Sequence, residues 1–201
     1  MYELPTSVTV NGRQFTITNK GDFRMVLDCF RALSDVTMSE DLRVLASLII
    51  FYNEFNSIED VYETEVETFK GCVAEMYKFF NQGQEQSLGC KTDTSYIDWD
   101  KDSILISSAI NAVAGKEIRV EPYLHWWTFM GYYLAIGESL LSTVVNIRYK
   151  IVKHEKLEKW EQKFRRDNPD YFTWNRMVSS EAAQQDEAIR NLWNKGGVTN
   201  G

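Results

Sequence analysis

Asp98, Asp100 and Asp102 stand at alternate positions, the spacing with which a calcium-binding loop begins. Such a loop needs Gly in sixth place for its sharp turn and a bidentate Glu in twelfth. Counted from Asp98, those places hold Ser103 and Ala109. The three carboxylates therefore read as an acidic cluster at a helix start, where they suit unsatisfied N–H groups and the positive end of the helix dipole. His125 and His154 are the two histidines. Neither has a second His, Cys or carboxylate at metal-ligand spacing. His125 is followed by Trp126 and Trp127, which marks a core histidine rather than a catalytic base. Cys29, Cys72 and Cys90 are odd in number and widely spaced, the pattern of reduced thiols in a cytosolic protein. No Gly-rich phosphate loop, no Gly-x-Ser-x-Gly elbow and no Cys-His signature occurs. Carboxylate pairs lack the apolar background that would raise a pKa. The expectation is a protein that is not an enzyme, with no catalytic residue, no cofactor and no metal.

Recognition surfaces remain. A net charge of −7 is the wrong sign for a general phosphate-binding surface. Lys163, Arg165 and Arg166 are too few to reverse that and read as a solvated helix end. Nucleic acid and membrane are not expected partners. The longest apolar run falls short of the roughly 20 residues that span a bilayer. The first residues lack a basic segment followed by an apolar run, so a signal peptide is not expected. With 44% hydrophobic and 13% aromatic residues, disorder is excluded and the chain can bury a real core.

The elements that would position these residues follow from periodicity. Val8 and Val10, then Asn11-Gly12, then Phe15 and Ile17 predict a β-hairpin, because Asn-Gly accepts positive φ at both turn positions. Asp22 is the expected cap of a helix with Phe23, Val26, Leu27, Phe30 and Leu33 as its stripe. The next helix is capped by Thr37 with Glu40, or by Ser39. It turns Leu42, Leu45, Ala46, Ile49 and Tyr52 inward, with Val44, Leu48, Ile50 and Phe51 widening that face. Ser57 opens one long helix to Phe80, with Ile58, Val61, Tyr62, Val66, Phe69, Val73, Met76 and Phe80 inward and Gly71 as a weak point. Residues 81–95 read as an exposed loop. A helix over 100–114 buries Ile106, Ile110 and Val113 and ends at Gly115.

Residues 121–137 are the most aromatic stretch. No helical row in them is charged, so they predict a central helix buried on all sides, with Pro122 in its first turn and Gly137 as its stop. Either its rings are core, or some line a groove for another protein. In the second case Leu124 and Trp127 pack inward, and Tyr123, Trp126 and Tyr133 reach the partner. After Gly137 the β-branched run predicts a short helix and an extended turn. Residues 154–167 form a charged helix with Leu157, Trp160 and Phe164 on one side, stopped by Asn168-Pro169. The tail carries an amphipathic helix with Ile189, Leu192 and Trp193, which either folds back or faces a partner.

Three segments together carry a resemblance: LPTSVTVNGRQFTI, then YIDWDKDSILI from Tyr96, then YLHWWTF from Tyr123. The chain resembles the bacteriophage gene-product-fifteen family, with Leu124, His125, Trp126, Trp127 and Phe129 matching its double-Trp motif. The resemblance spans about residues 4–165. It implies no catalytic residue. It implies a gene between those of the major tail protein and the tape-measure protein, the slot of tail assembly chaperones. The expected function is thus a chaperone that binds the tape-measure protein during tail assembly in the host cytoplasm. The alternative is a structural component of the virion tail or head–tail connector. Expected partners are the tape-measure protein or other tail proteins, and a homo-oligomer is compatible with both readings.

The expected architecture is mainly α: six to seven helices around a central aromatic helix, with an N-terminal β-hairpin. A helical domain over 1–167 would be followed by an extension over 168–201.

Overall fold

Asn11 and Gly12 adopt φ of 49° and 78°, the left-handed pair that a two-residue hairpin turn requires. They join β1 (Ser7–Val10) to β2 (Arg13–Thr16), which pair antiparallel with Val8 opposite Phe15 and Val10 opposite Arg13. The computed structural model describes residues 3–84 and 96–174. Eight α-helices follow the hairpin among those residues, one more than the upper bound expected. The protein is mainly α. Its described residues fall into two units: 3–84 with Tyr123–Trp127, and 96–122 with 128–174.

In the first unit the hairpin lays its inner face on helices, with Val10, Phe15 and Ile17 buried. Asp22 caps α1 (Phe23–Leu33) by accepting the Arg24 N–H, as expected. Ser39, not Thr37, caps α2 (Glu40–Phe51), because Thr37 turns back to Asp35. The buried face of α2 is Val44, Leu45, Leu48 and Phe51, while Leu42 is exposed. The core thus takes Leu45 and Tyr52 of the expected stripe together with Val44, Leu48 and Phe51, which were read as widening it, and only Leu42 of the stripe is exposed.

The long helix expected from Ser57 to Phe80 is two. Ser57 and Asp60 form a reciprocal capping box on α3 (Ile58–Tyr62), and the chain restarts as α4 (Val66–Phe80). Glu63 to Glu65 break the register. Tyr62 and Val66 therefore leave the apolar stripe and stand exposed. Gly71 is no kink. A Cβ there would lie 2.3 Å from Cγ1 of Val10, so glycine lets α4 approach β1.

The outer edge of β2 is covered at its last residue, Thr16. Both carboxylate oxygens of Glu54 accept the Thr16 N–H, at 2.8 and 3.0 Å, and the Asn53 N–H donates to the Thr16 carbonyl. The α2–α3 connection thereby satisfies backbone groups that a two-stranded ribbon leaves open.

In the second unit, α5 (Ser103–Ala114) ends at Gly115 with φ of 68°, a left-handed stop. Ile106 and Ile110 are buried, but Val113 is exposed. The short helix and extended turn expected after Gly137 are one continuous helix, α7 (Leu140–Val152), capped by Ser139 and Ser142. A good cap and burial of Leu141, Val144 and Ile147 override its β-branched content. α8 (Lys159–Asp167) stops before Pro169, whose turn runs to Phe172. Phe164 faces Tyr171 and Phe172 as an inward residue should. Trp160 is exposed instead.

The aromatic helix is shorter than expected. α6 is Trp126–Leu134, nine residues, and neither Pro122 nor Gly137 bounds it. Trp126 and Trp127 belong to the first unit and the rest of α6 to the second. It is not apolar core all round: Phe129 is buried, whereas Leu134 is 67% exposed. Among the described residues no helix is long and apolar enough to cross a membrane.

Candidate functional site

The double-Trp segment is built as a clasp. A helix leaves its last four carbonyls without intrahelical partners. At the end of α4, the Trp126 indole N–H donates to the Phe80 carbonyl and the Trp127 indole N–H to the Phe79 carbonyl, both at 2.9 Å. Two adjacent indoles thus serve two adjacent carbonyls at the end of α4, that of Phe79 also accepting the Gln82 N–H. Gly83, at φ 82°, passes under the Trp127 ring, where a Cβ would come within 3.1 Å of its carbons. Trp126 is 1% exposed and meets Phe30 edge-to-face.

His125 orders the same segment. Its Nδ1 accepts the backbone N–H of Trp127 at 3.0 Å. A side chain that accepts from the second residue of a helix acts as its N-cap, so the imidazole caps α6. With Nδ1 accepting, the proton sits on Nε2, which donates to the Pro5 carbonyl at 3.1 Å. Burial holds the His125 pKa below its ordinary value, against opposing pulls from the Pro5 hydrogen bond and Asp22. A neutral, doubly bonded ring agrees with a core histidine.

Asp22 anchors the other end. One carboxylate oxygen caps α1, both accept from Arg24, and the second also accepts the Leu124 N–H at 2.9 Å. The Phe23 N–H returns to the Leu124 carbonyl. Leu124 to Trp127 of the double-Trp motif are therefore internal architecture of the first unit, and Phe129 belongs to the second.

The expected partner residues separate accordingly. Trp126 is core and has no face to offer, which removes it from the groove. Tyr123 is 43% exposed and donates its hydroxyl to the Lys20 carbonyl. Tyr133 is half-buried against Trp99, ring centroids 5.6 Å apart, and burial raises its pKa. Leu124 is buried and Trp127 part-buried, as expected for inward residues. Ile189, Leu192 and Trp193 lie outside the described residues, as do Cys90 and most of the loop expected over 81–95.

The acidic cluster has a partner that spacing did not disclose. Asp102 precedes α5 but makes no cap bond. Its carboxylate instead forms a bidentate pair with Arg148 of α7, the two side chains 3% and 1% exposed. Arg148 also donates to the carbonyls of Tyr96 and Tyr171 at 2.9 and 2.8 Å, and its guanidinium lies 4.7 Å from the Trp174 ring centre. One planar fork thus ties together three stretches of the second unit. Asp98 accepts the N–H groups of Asp100 and Lys101, and the Asp98 N–H donates to Asp102. The cluster is turn and ion-pair architecture. No group of residues among those described is arranged to hold a metal.

Buried thiols complete the inventory. Burial pushes the Cys72 pKa up to about 12 and raises that of Cys29 as well. Thiols so shifted are poor nucleophiles.

A family model described as Bacteriophage Gp15 protein matches residues 1–171. The chain belongs to this family. No curated protein and no solved structure matches it.

Proposed function

We propose, from its place among the Bacteriophage Gp15 proteins, that this chain is a tail assembly chaperone that holds the helices of the tape-measure protein until tail-tube subunits replace them. At the coarser level the chain is a bacteriophage structural or assembly protein. Family membership carries the reading. The second unit adds support, since its helices expose apolar side chains. Ile104 of α5 is 73% exposed, and Leu140 and Tyr149 of α7 are more than two-fifths exposed. Exposed apolar residues on a helical scaffold suit an amphipathic helix as client.

The test is co-expression of the full chain with the tape-measure protein of the same phage, together with mass spectrometry of purified virions. Co-purification, with the chain absent from mature particles, is the expected result. Stoichiometric copies in virions and no tape-measure binding would establish the other role instead, a structural component of the tail or head–tail connector.

A further inference from the structure

Two surfaces on this chain complement each other. The first is a depression of about 510 Å³ beside the hairpin, lined by Arg13, Glu54, Asp60, Glu63, Glu65 and Thr68. Four carboxylates there face one guanidinium. Glu54 and Asp60 are engaged with backbone N–H groups, whereas Glu63 and Glu65 are exposed and their carboxylates make no hydrogen bond or ion pair. Tyr62, next to Glu63, is 69% exposed.

The second surface is the outer face of α8. Glu161 and Phe164 hold the inner face, through Lys150 and through Tyr171 and Phe172. Helical spacing then aligns Lys159, Lys163 and Arg166 on the opposite side, all exposed. Lys159 and Lys163 make no ion pair. Trp160 lies beside that row, 57% exposed. Trp is among the side chains most often found at the energetic centre of an interface, and here Lys159 and Lys163 flank it on one side.

We propose that the outer face of α8 in one copy docks in the acidic depression of a second copy, with Trp160 as the anchor and Lys159 and Lys163 opposite Glu63 and Glu65. The partner is a second copy because each copy carries both halves, with opposite charge. Different patches meet, so the contact is head-to-tail. Repetition closes a ring or extends a filament. This contact does not depend on tape-measure binding.

Sedimentation velocity on the full chain tests it. The wild-type chain associates at low ionic strength and dissociates near 1 M salt, where the Debye length is about 3 Å. E63K/E65K and K159E/K163E each abolish association alone, because the reversed surface repels its counterpart. Mixing the two variants restores it, since each then supplies the surface complementary to the other. Trp160→Ala weakens association about tenfold. All five positions are exposed, and unchanged circular dichroism and melting verify the fold. A chain that stays monomeric at low salt overturns the proposal. So does association that survives either charge reversal, or a mixture that remains monomeric.

Discussion

The indole N–H of Trp126 closes on the carbonyl of Phe80 at 2.9 Å, 46 residues away in sequence. That bond joins the start of one helix to the end of another and gives the Trp a role in folding rather than in recognition. Trp126→Phe keeps most of the ring and orphans a buried carbonyl, which costs about 1–3 kcal/mol. Trp126→Ala also empties a core site and costs about 3–5 kcal/mol. Urea denaturation of each variant checks the order. A Trp126→Ala protein of wild-type stability, with partner binding lost, would return this ring to the surface.

Arg148 and Asp102 form a pair whose halves differ in meaning from the whole. Arg148→Met leaves a carboxylate buried without its cation and costs about 3–5 kcal/mol. The double variant R148M/D102L removes both charges and recovers part of that loss. Urea melts of the single and double variants measure the coupling. Equal, additive losses would mean that the two charges do not interact.

His125 predicts a pH dependence. Its folded pKa lies below the ordinary value of 6.5. Between the two values the unfolded chain binds the proton more readily, so stability is full above about 6.5 and falls as pH drops toward the folded pKa. Protonation also removes the Nδ1 acceptor that caps α6. His125→Gln should flatten the stability profile below about pH 6.5 relative to wild type. A wild-type profile already flat over that window would contradict a neutral, buried ring.

Gly71 predicts a steric coupling. Alanine is favoured over glycine in a helix by about 1 kcal/mol, but here its methyl would collide with Val10 and overpacking costs about 1–3 kcal/mol. Gly71→Ala should destabilise, and Val10→Ala in the same chain should relieve the clash. Stabilisation by Gly71→Ala alone would show that the hairpin has room to shift.

Local signals were legible where local chemistry decides. Asn11-Gly12 announced the hairpin, Asp22 the start of α1, and Gly115 the end of α5. The reading failed where competing signals overlap. Ile58 to Phe80 keep an apolar period across Glu63 and Glu65, so the break between α3 and α4 is invisible to periodicity. Residues 121–137 are apolar enough to look helical throughout, but their first part is held extended by Asp22 and Phe23, a hundred residues earlier. Trp126 carried no mark of its depth, because an interface and a core both favour Trp. Arg148 sat in a β-branched run with nothing nearby to suggest burial. Its partners lie 46 and 52 residues upstream and 23 downstream, beyond the reach of any spacing rule.

Glu54 has a consequence for the life of the protein before assembly. A short ribbon with an open flank is a template on which other copies can stack as strands. Where many copies are concentrated together, such stacking nucleates insoluble fibres. By occupying the Thr16 N–H with a carboxylate, the chain sets both a hydrogen-bond block and a negative charge on that flank. Glu54→Val should leave the native helices in place and shorten the lag before concentrated protein turns thioflavin-positive. An unchanged lag would show that the flank is guarded by something other than this side chain.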